Sequence, residues 1–180
     1  LAKNLFYNLP ARIQFLKRAS TEFSLCQSTI VEKALCFPHV QFRLFHDDEL
    51  RLALLPCSGP QAALERLWQC HGKDWGDRRF VHMLKGSGTG FRVEILCADQ
   101  SMYRHDRKMI QLFVNQRRIN DFGLVQAVEY GYGGYLPGGR FPLAFVWLDV
   151  DPERLDVNIH PAKREVKLRD YSEIHHRVVE

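Results

Sequence analysis

The unbroken apolar run Phe141-Pro142-Leu143-Ala144-Phe145-Val146-Trp147-Leu148 limits the folds open to this chain more than any other segment. A strand with one wet face would alternate apolar and polar residues, so a continuous run suits a strand buried on both faces. Such a strand needs a sheet around it and helices above and below. The rest of the sequence supplies both. Between residues 11 and 37, Ile13, Leu16, Phe23, Cys26, Ile30, Ala34 and Phe37 recur mostly three or four positions apart, which predicts two amphipathic helices in tandem, the second starting at Ser20 and stopped by Pro38. Val40, Phe42 and Leu44 face Leu50, Leu52 and Leu54 across Asp47-Asp48, the pattern of a hairpin. A helix is predicted from Gly59-Pro60 to about Cys70.

Farther on, residues 80–84 and 91–97 read as strands joined by Gly86-Ser87-Gly88-Thr89-Gly90, and residues 98–108 as a polar loop. Residues 110–115 read as a strand and Gln116-Arg117-Arg118 as a turn. Asp121 is a suitable N-cap for a helix ending near Gly131, and the glycine-rich residues 131–139 read as a connector. Two more strands, residues 154–159 and 165–168, flank the loop His160-Pro161-Ala162-Lys163, and a final helix starts at Tyr171. Residues 1–7 read as the tail of a strand. Interspersed hairpins and crossovers predict an α+β fold, a mixed sheet with helices packed on it.

The length of 180 residues, with 46% hydrophobic and 26% charged residues, fits one domain. No apolar run reaches the roughly 18–20 residues of a membrane span and no signal peptide opens the chain, so an intracellular, soluble location without membrane contact is expected. The chain lacks an initiator Met, and Leu1 opens inside an apolar segment, so a longer parent protein is expected. Five cysteines, odd in number and without a C-x-x-C pair, argue against zinc ribbons and disulfide frameworks and for free buried thiols. Histidines are scattered, and the adjacent pairs Cys70-His71 and His175-His176 point apart on a helix or strand, so no metal site is expected.

The net charge of +4 matters only where it clusters. Arg104, Arg107, Lys108, Arg117 and Arg118 lie in a short window opposed only by Asp106, and two bends would gather them on one rim able to attract nucleic-acid phosphates. Composition leaves this reading and a solvated loop equally open. The glycines at 86–90 lack the lysine and the strand-to-helix transition of a phosphate loop and read as a hairpin turn. Lys163, read without further context, is a solvated lysine on a loop stiffened by Pro161.

Three segments give that loop a context. Asp156-Val157-Asn158-Ile159-His160-Pro161-Ala162-Lys163-Arg164-Glu165-Val166 resembles the D-V-N-V-H-P-x-K-x-E-V signature of the MutL family of DNA mismatch-repair ATPases. Leu5-Phe6-Tyr7-Asn8-Leu9-Pro10-Ala11-Arg12 with Phe15-Leu16 resembles the family's L-F-x-N-x-P-A-R-x-K-F-L, and Phe113-Val114-Asn115-Gln116-Arg117 its F-V-N-x-R. Leu9 stands where Thr is usual, Gln14 where a basic residue is, and Gln116 where Gly is.

The resemblance implies the transducer, or second, domain of a GHKL-type ATPase, occupying residues 1–180, with residues 1 to about 18 as the link from a preceding ATP-binding domain. It further implies a fold like the second domain of ribosomal protein S-five, with a left-handed βαβ crossover against the general right-handed rule. Lys163 is implied to reach the γ-phosphate of ATP, held with Mg²⁺ by the other domain, and to couple nucleotide state to domain closure and to homo- or heterodimerisation. The fragment itself, lacking the family's ATP-binding motifs, is expected to bind no cofactor and to have no enzymatic activity alone. Implied partners are DNA, through Arg117 and Arg118 with Arg104, Arg107 and Lys108, and a mismatch-recognition protein of the MutS type. The implied location is cytoplasm or nucleoid in a bacterium, or nucleus in a eukaryote. A stand-alone nucleic-acid-binding module of similar fold and the second domain of another GHKL ATPase are the alternative readings. A small-molecule kinase would need the phosphate loop that is missing.

Overall fold

The computed structural model describes Asn4 and residues 6–156 and 166–180. After a turn at residues 6–8, Pro10 opens the short helix α1 (Pro10–Gln14), where its missing N–H would have had no helical partner in any case. The second helix, α2 (Ala19–Cys36), starts one residue before Ser20, and Lys17 N–H donates to Glu22 Oε1 at 2.9 Å across its first turn. Only Ala34 and Leu35 of α2, near its end, are buried, while Phe23 packs against His46 and Val31 against the core.

The hairpin β1 (Phe42–His46) and β2 (Glu49–Leu54) turns at Asp47 and Asp48, both in the left-handed region that aspartate tolerates, with φ of 51° and 60°. Helix α3 (Ala62–Trp75) extends past the predicted end at Cys70, because Trp75 is wholly buried against the sheet and Gly76, at φ 63°, takes the exit. From α3, the fully buried Arg66 donates through Nη2 to the carbonyl oxygens of Pro38, Val40 and Leu55 at 2.7, 2.6 and 3.0 Å, and its guanidinium lies 5.6 Å from the Phe42 ring centroid.

Further strands and two helices complete the described chain. Strands β3 (Val81–Gly88) and β4 (Phe91–Ala98) meet at Thr89-Gly90, so most of the glycine-rich stretch is strand rather than turn. The predicted polar loop contains β5 (Tyr103–Arg104), which pairs with β8 (Phe141–Pro142). Between them lie β6 (Ile110–Val114), β7 (Arg117–Ile119) and α4 (Phe122–Gly131); after them come β9 (Ala144–Val150), β10 (Leu155–Asp156), β11 (Lys167–Leu168) and α5 (Tyr171–Val179). Asp121 caps α4 as predicted, its Oδ1 accepting from Leu124 N–H at 2.9 Å. The predicted turn at residues 116–118 moves back by a residue. Asn115 and Gln116 form it, at φ 44° and 64°, and Arg117 and Arg118 already belong to β7. A two-residue hairpin loop demands left-handed backbone at both central positions, and it finds asparagine well suited and glutamine strained.

The main sheet has the order β3-β4-β9-β6-β7, antiparallel throughout except for the parallel pair β6–β9. The apolar run from Ala144 onward thus becomes the central strand of a mixed sheet, in an α+β fold, running on to Val150, while Phe141-Pro142 at the head of the predicted strand pair instead with β5 in a separate sheet. The parallel pair is joined through β7 and α4. On one face, Ile110, Leu112, Val114, Val146 and Leu148 pack against Leu124, Ala127 and Val128 of α4 and Ile174 and Val178 of α5. On the other, Leu96, Phe113 and Phe145 meet Leu35 of α2 and Leu67 and Trp75 of α3.

Candidate functional site

Lys163, with residues 157–165, lies outside the described residues. β10 and β11 pair antiparallel, Leu155 opposite Leu168 and Asp156 opposite Lys167, making a stem for the segment that carries Lys163. Leu168 is buried in the aliphatic core. Below the paired residues, Arg154 Nη1 meets Asp170 Oδ2 at 2.6 Å, and the backbone N–H of Arg169 donates to Arg154 O at 3.0 Å. Pro152 starts a single 3-10 turn whose Arg154 N–H donates to Asp151 O at 2.9 Å, and Asp151 N–H donates to Gly90 O at 2.9 Å. The stem is therefore tied to the β3–β4 hairpin at one end and to α5 at the other.

The five basic residues of the predicted rim are spread over four surroundings. Arg104 donates to Asp74 Oδ1 at 2.8 Å and to Asp74 O at 3.2 Å, at the end of α3. Arg107 grips Glu129 of α4 with two bonds, at 2.6 and 3.1 Å, and its guanidinium carbon lies 4.1 Å from the Phe141 ring centroid. Lys108 pairs with Asp106 at 3.0 Å. Sequence spacing hid Asp74 and Glu129, which come from distant elements. Arg117 and Arg118 alternate across β7: Arg118 pairs opposite Phe113 and lies over its ring at 5.8 Å, while Arg117 points the other way and is exposed. Among the described residues no carboxylate lies in ion-pair distance of Arg117. Lys33 of α2, which sequence reasoning passed over, brings its ammonium within 3.5 Å of the Gln116 carbonyl oxygen, so a second cation reaches this turn.

Asn115 is the other residue the sequence reading missed. Its backbone N–H donates to Leu148 O at 2.9 Å, its Nδ2 donates to Val150 O at 2.8 Å, and its Oδ1 accepts from Val150 N–H at 2.8 Å. The side chain thus acts as an extra rung between the basic turn and the last residue of β9. On the opposite side, the Tyr171 hydroxyl donates to Asp121 Oδ1 at 2.7 Å. Burial and the Asp121 carboxylate push the Tyr171 phenol up to about 12, so it remains a donor at physiological pH. Gly123 leaves the room this bond needs; a Cβ there would overlap the Tyr171 hydroxyl.

The five cysteines are free thiols, Cys57 buried and Cys26 exposed against the expectation that all are buried. Desolvation pushes Cys36 up to about 12 and Cys70 and Cys97 up to about 11, which keeps them protonated and poorly nucleophilic. No helix among the described residues is long and apolar enough to cross a membrane.

Comparison with known proteins identifies this arrangement. The family model described as DNA mismatch repair protein, C-terminal domain, matches residues 76–180. The DNA mismatch repair protein MutL of Treponema pallidum (strain Nichols) is 40% identical over 174 residues, 97% of this chain and 27% of that protein. This chain spans about a quarter of the length of the curated relatives it matches. Among solved structures, the N-terminal domain of a DNA repair protein aligns with a TM-score of 0.70 at 18% identity over 97% of this chain and 56% of that one. The ATPase domain of the mismatch repair endonuclease MutL from Aquifex aeolicus aligns with a TM-score of 0.62 at 22% identity over 98% and 60%. At these identities the structures speak for the fold, and the family model, which covers more than half of the chain, speaks for descent: the chain belongs to the MutL-type DNA mismatch repair family.

Proposed function

We propose that this chain is the transducer domain of a MutL-type mismatch-repair ATPase, in which Lys163 contacts the γ-phosphate of ATP held with Mg²⁺ by a preceding domain and so couples nucleotide state to domain closure and dimerisation. The observation that carries the reading is the anchoring of the β10–β11 stem, by the Arg154–Asp170 pair and by the bonds from Arg169 and Asp151. A lysine that senses a phosphate on another domain needs a fixed base, because binding energy spent on ordering a loose loop is lost to closure. Bound ATP supplies the negative charge; Lys163 supplies its counter-charge. At about 4 Å and an effective dielectric near 20 the attraction is about 4 kcal/mol before desolvation, enough to bias a two-state closure. This chain alone hydrolyses no ATP in this reading, since half of the site lies elsewhere.

DNA is the second partner, met at the Asn115-Gln116 turn. Arg117, exposed and without a carboxylate partner among the described residues, is the first contact to a phosphate, and Arg118, on the other face of β7, is the second. Arg104, Arg107 and Lys108 join by exchanging a carboxylate for a phosphate, a modest cost for exposed ion pairs. The intact protein works with a mismatch-recognition protein of the MutS type, as a homodimer or heterodimer.

Two variants of the intact protein test this. Lys163→Ala lowers ATP turnover and leaves the domain folded by circular dichroism; unchanged turnover removes the sensor role. Arg117→Glu with Arg118→Glu weakens duplex binding and flattens the slope of log affinity against log salt by about 0.9 for each phosphate no longer neutralised. An unaltered slope returns these arginines to the solvated surface.

A further inference from the structure

The two edges of the main sheet are built differently. One is β7, three residues long with two arginines among them, and an edge that short and charged gives another strand little to pair with. The other is β3, eight residues long, without a proline, and in unbroken register with β4 from Val81 opposite Ala98 to Gly88 opposite Phe91. Every second residue of an edge strand turns its N–H and C=O away from the sheet. Among the described residues, no backbone bond joins that side of β3 to another element. Leu84 pairs opposite Ile95 on the face of α4 and α5 and is 51% exposed, while Lys85 points to the other face and meets Glu94 at 3.2 Å.

Charge decides what this edge takes. Residues 78–90 include Arg78, Arg79, His82 and Lys85 and not one Asp or Glu. Gly86 draws in a further cation: a Cβ there would come within 2.9 Å of Arg177 Cδ, so the missing side chain lets the stem of Arg177 lie over the strand. The carboxylates that meet these cations, Asp77 for Arg79, Glu94 for Lys85 and Glu180 for Arg177, form surface pairs, which exchange partners at little cost. A second copy of this chain would set one cationic edge against another, which opposes pairing. We propose that β3 is a docking edge for an acidic, extended segment of a partner protein, which adds a sixth strand with apolar side chains opposite Leu84 on one face and carboxylates opposite Lys85 on the other. Main-chain bonds supply the affinity, and the alternation of side chains selects the sequence. β3 lies at the edge opposite β7, and the proposal stands independently of the ATP and DNA contacts proposed above.

The test uses the intact protein and, as probe, a peptide as long as β3 in which valine and glutamate alternate. A second peptide has lysine in place of glutamate, and a third has proline at two neighbouring central positions, which removes an N–H needed for pairing. Binding is read by titration calorimetry and by amide hydrogen exchange. The acidic peptide is expected to slow exchange about tenfold or more at alternate residues of β3, and the other two peptides to leave it unchanged. Lys85→Glu weakens the acidic peptide by about fivefold and lets the lysine peptide bind. Lys85→Gln weakens it by about twofold and carries the charge test alone if the glutamate variant does not fold. Protection elsewhere, or none with the peptide at its solubility limit, overturns the proposal. So does equal binding of the lysine peptide. Protection of β3 that grows with protein concentration in the absence of peptide assigns the edge to a second copy and overturns the acidic partner. An oligonucleotide that protects the same alternate amides more strongly than the peptide overturns it as well, because the cations of the edge then serve nucleic acid.

Discussion

The two faces of the central sheet are packed by different chemistry. Where α4 and α5 lie, the contacts are Ile, Leu, Val and Ala, and Leu168 of the β10–β11 stem is buried among them. Where α2 and α3 lie, rings dominate: Phe145 meets Trp75 and His71 edge-on, each at 5.4 Å between centroids, and Phe113 stacks on Trp147 at 5.7 Å. This second face also buries polar atoms, His71 Nε2, Gln111 Oε1, Trp75 Nε1 and Trp147 Nε1, for which no hydrogen-bond partner appears among the described residues. The difference teaches where precision is needed. Aliphatic packing has no polar atoms to satisfy and fixes its elements by shape alone, which suits the side on which Leu168 anchors the β10–β11 stem. The aromatic face gains more area per residue and takes on a polar liability with it.

Adjacent residues of β9 give the sharpest way to break this comparison, because Phe145 and Val146 are both fully buried and point to opposite faces. Phe145→Ala should lower stability by about 3–5 kcal/mol and Val146→Ala by about 2 kcal/mol, read from urea unfolding followed by circular dichroism and by tryptophan fluorescence. Coincident single transitions for both variants fit one cooperative core. Separate transitions for Phe145→Ala would show the faces to be independent.

A smaller effect separates the faces by pH. Desolvation lowers the pKa of His71 from its ordinary value near 6.5, with Asp74 opposing and Arg118 adding to the shift. The unfolded chain therefore takes up this proton first. The stability contributed by neutral His71 is complete above about 6.5 and is lost as pH falls from there through the folded pKa. Urea midpoints between pH 7.5 and 5 should decline more steeply for the natural chain than for His71→Phe; parallel curves would mean that the aromatic face does not sense pH through this ring. The smallest effect lies on the aliphatic side. Gln116→Gly relieves a left-handed backbone and should raise the melting midpoint by the equivalent of about 1 kcal/mol. An unchanged or lower midpoint would show that Gln116 is held there by something other than its turn.

What was legible in the sequence was local. The buried central strand, the Asp47-Asp48 hairpin and the Asp121 cap each follow from a few neighbouring residues; the hairpin and the cap stand where the sequence puts them, and the strand is displaced toward Val150. The misreadings were decided at a distance. Trp75 prolongs α3 by burying against Phe145, the pairing of β5 with β8 draws the head of the predicted central strand onto the predicted polar loop, and Arg117 and Arg118 part company because strain at Gln116 is tolerated to close a two-residue turn. Arg104 and Arg107 looked available only because Asp74 and Glu129 lie 30 and 22 positions away. Asn115 stood inside a family motif, yet its partner Val150 is 35 positions farther on, and no spacing rule leads from one to the other.

Arg66 carries a consequence for how the β1–β2 hairpin persists. A single nitrogen holds the carbonyls of Val40 and Leu55, the two mouths of that hairpin, and binds Pro38 besides. Secreted proteins close such loops with a disulfide, which restricts the unfolded chain and depends on an oxidising surrounding. Here the closure is made by a guanidinium, near the free, buried thiol of Cys57. Reductants leave this clasp untouched, and it opens only when α3 itself comes away from the sheet.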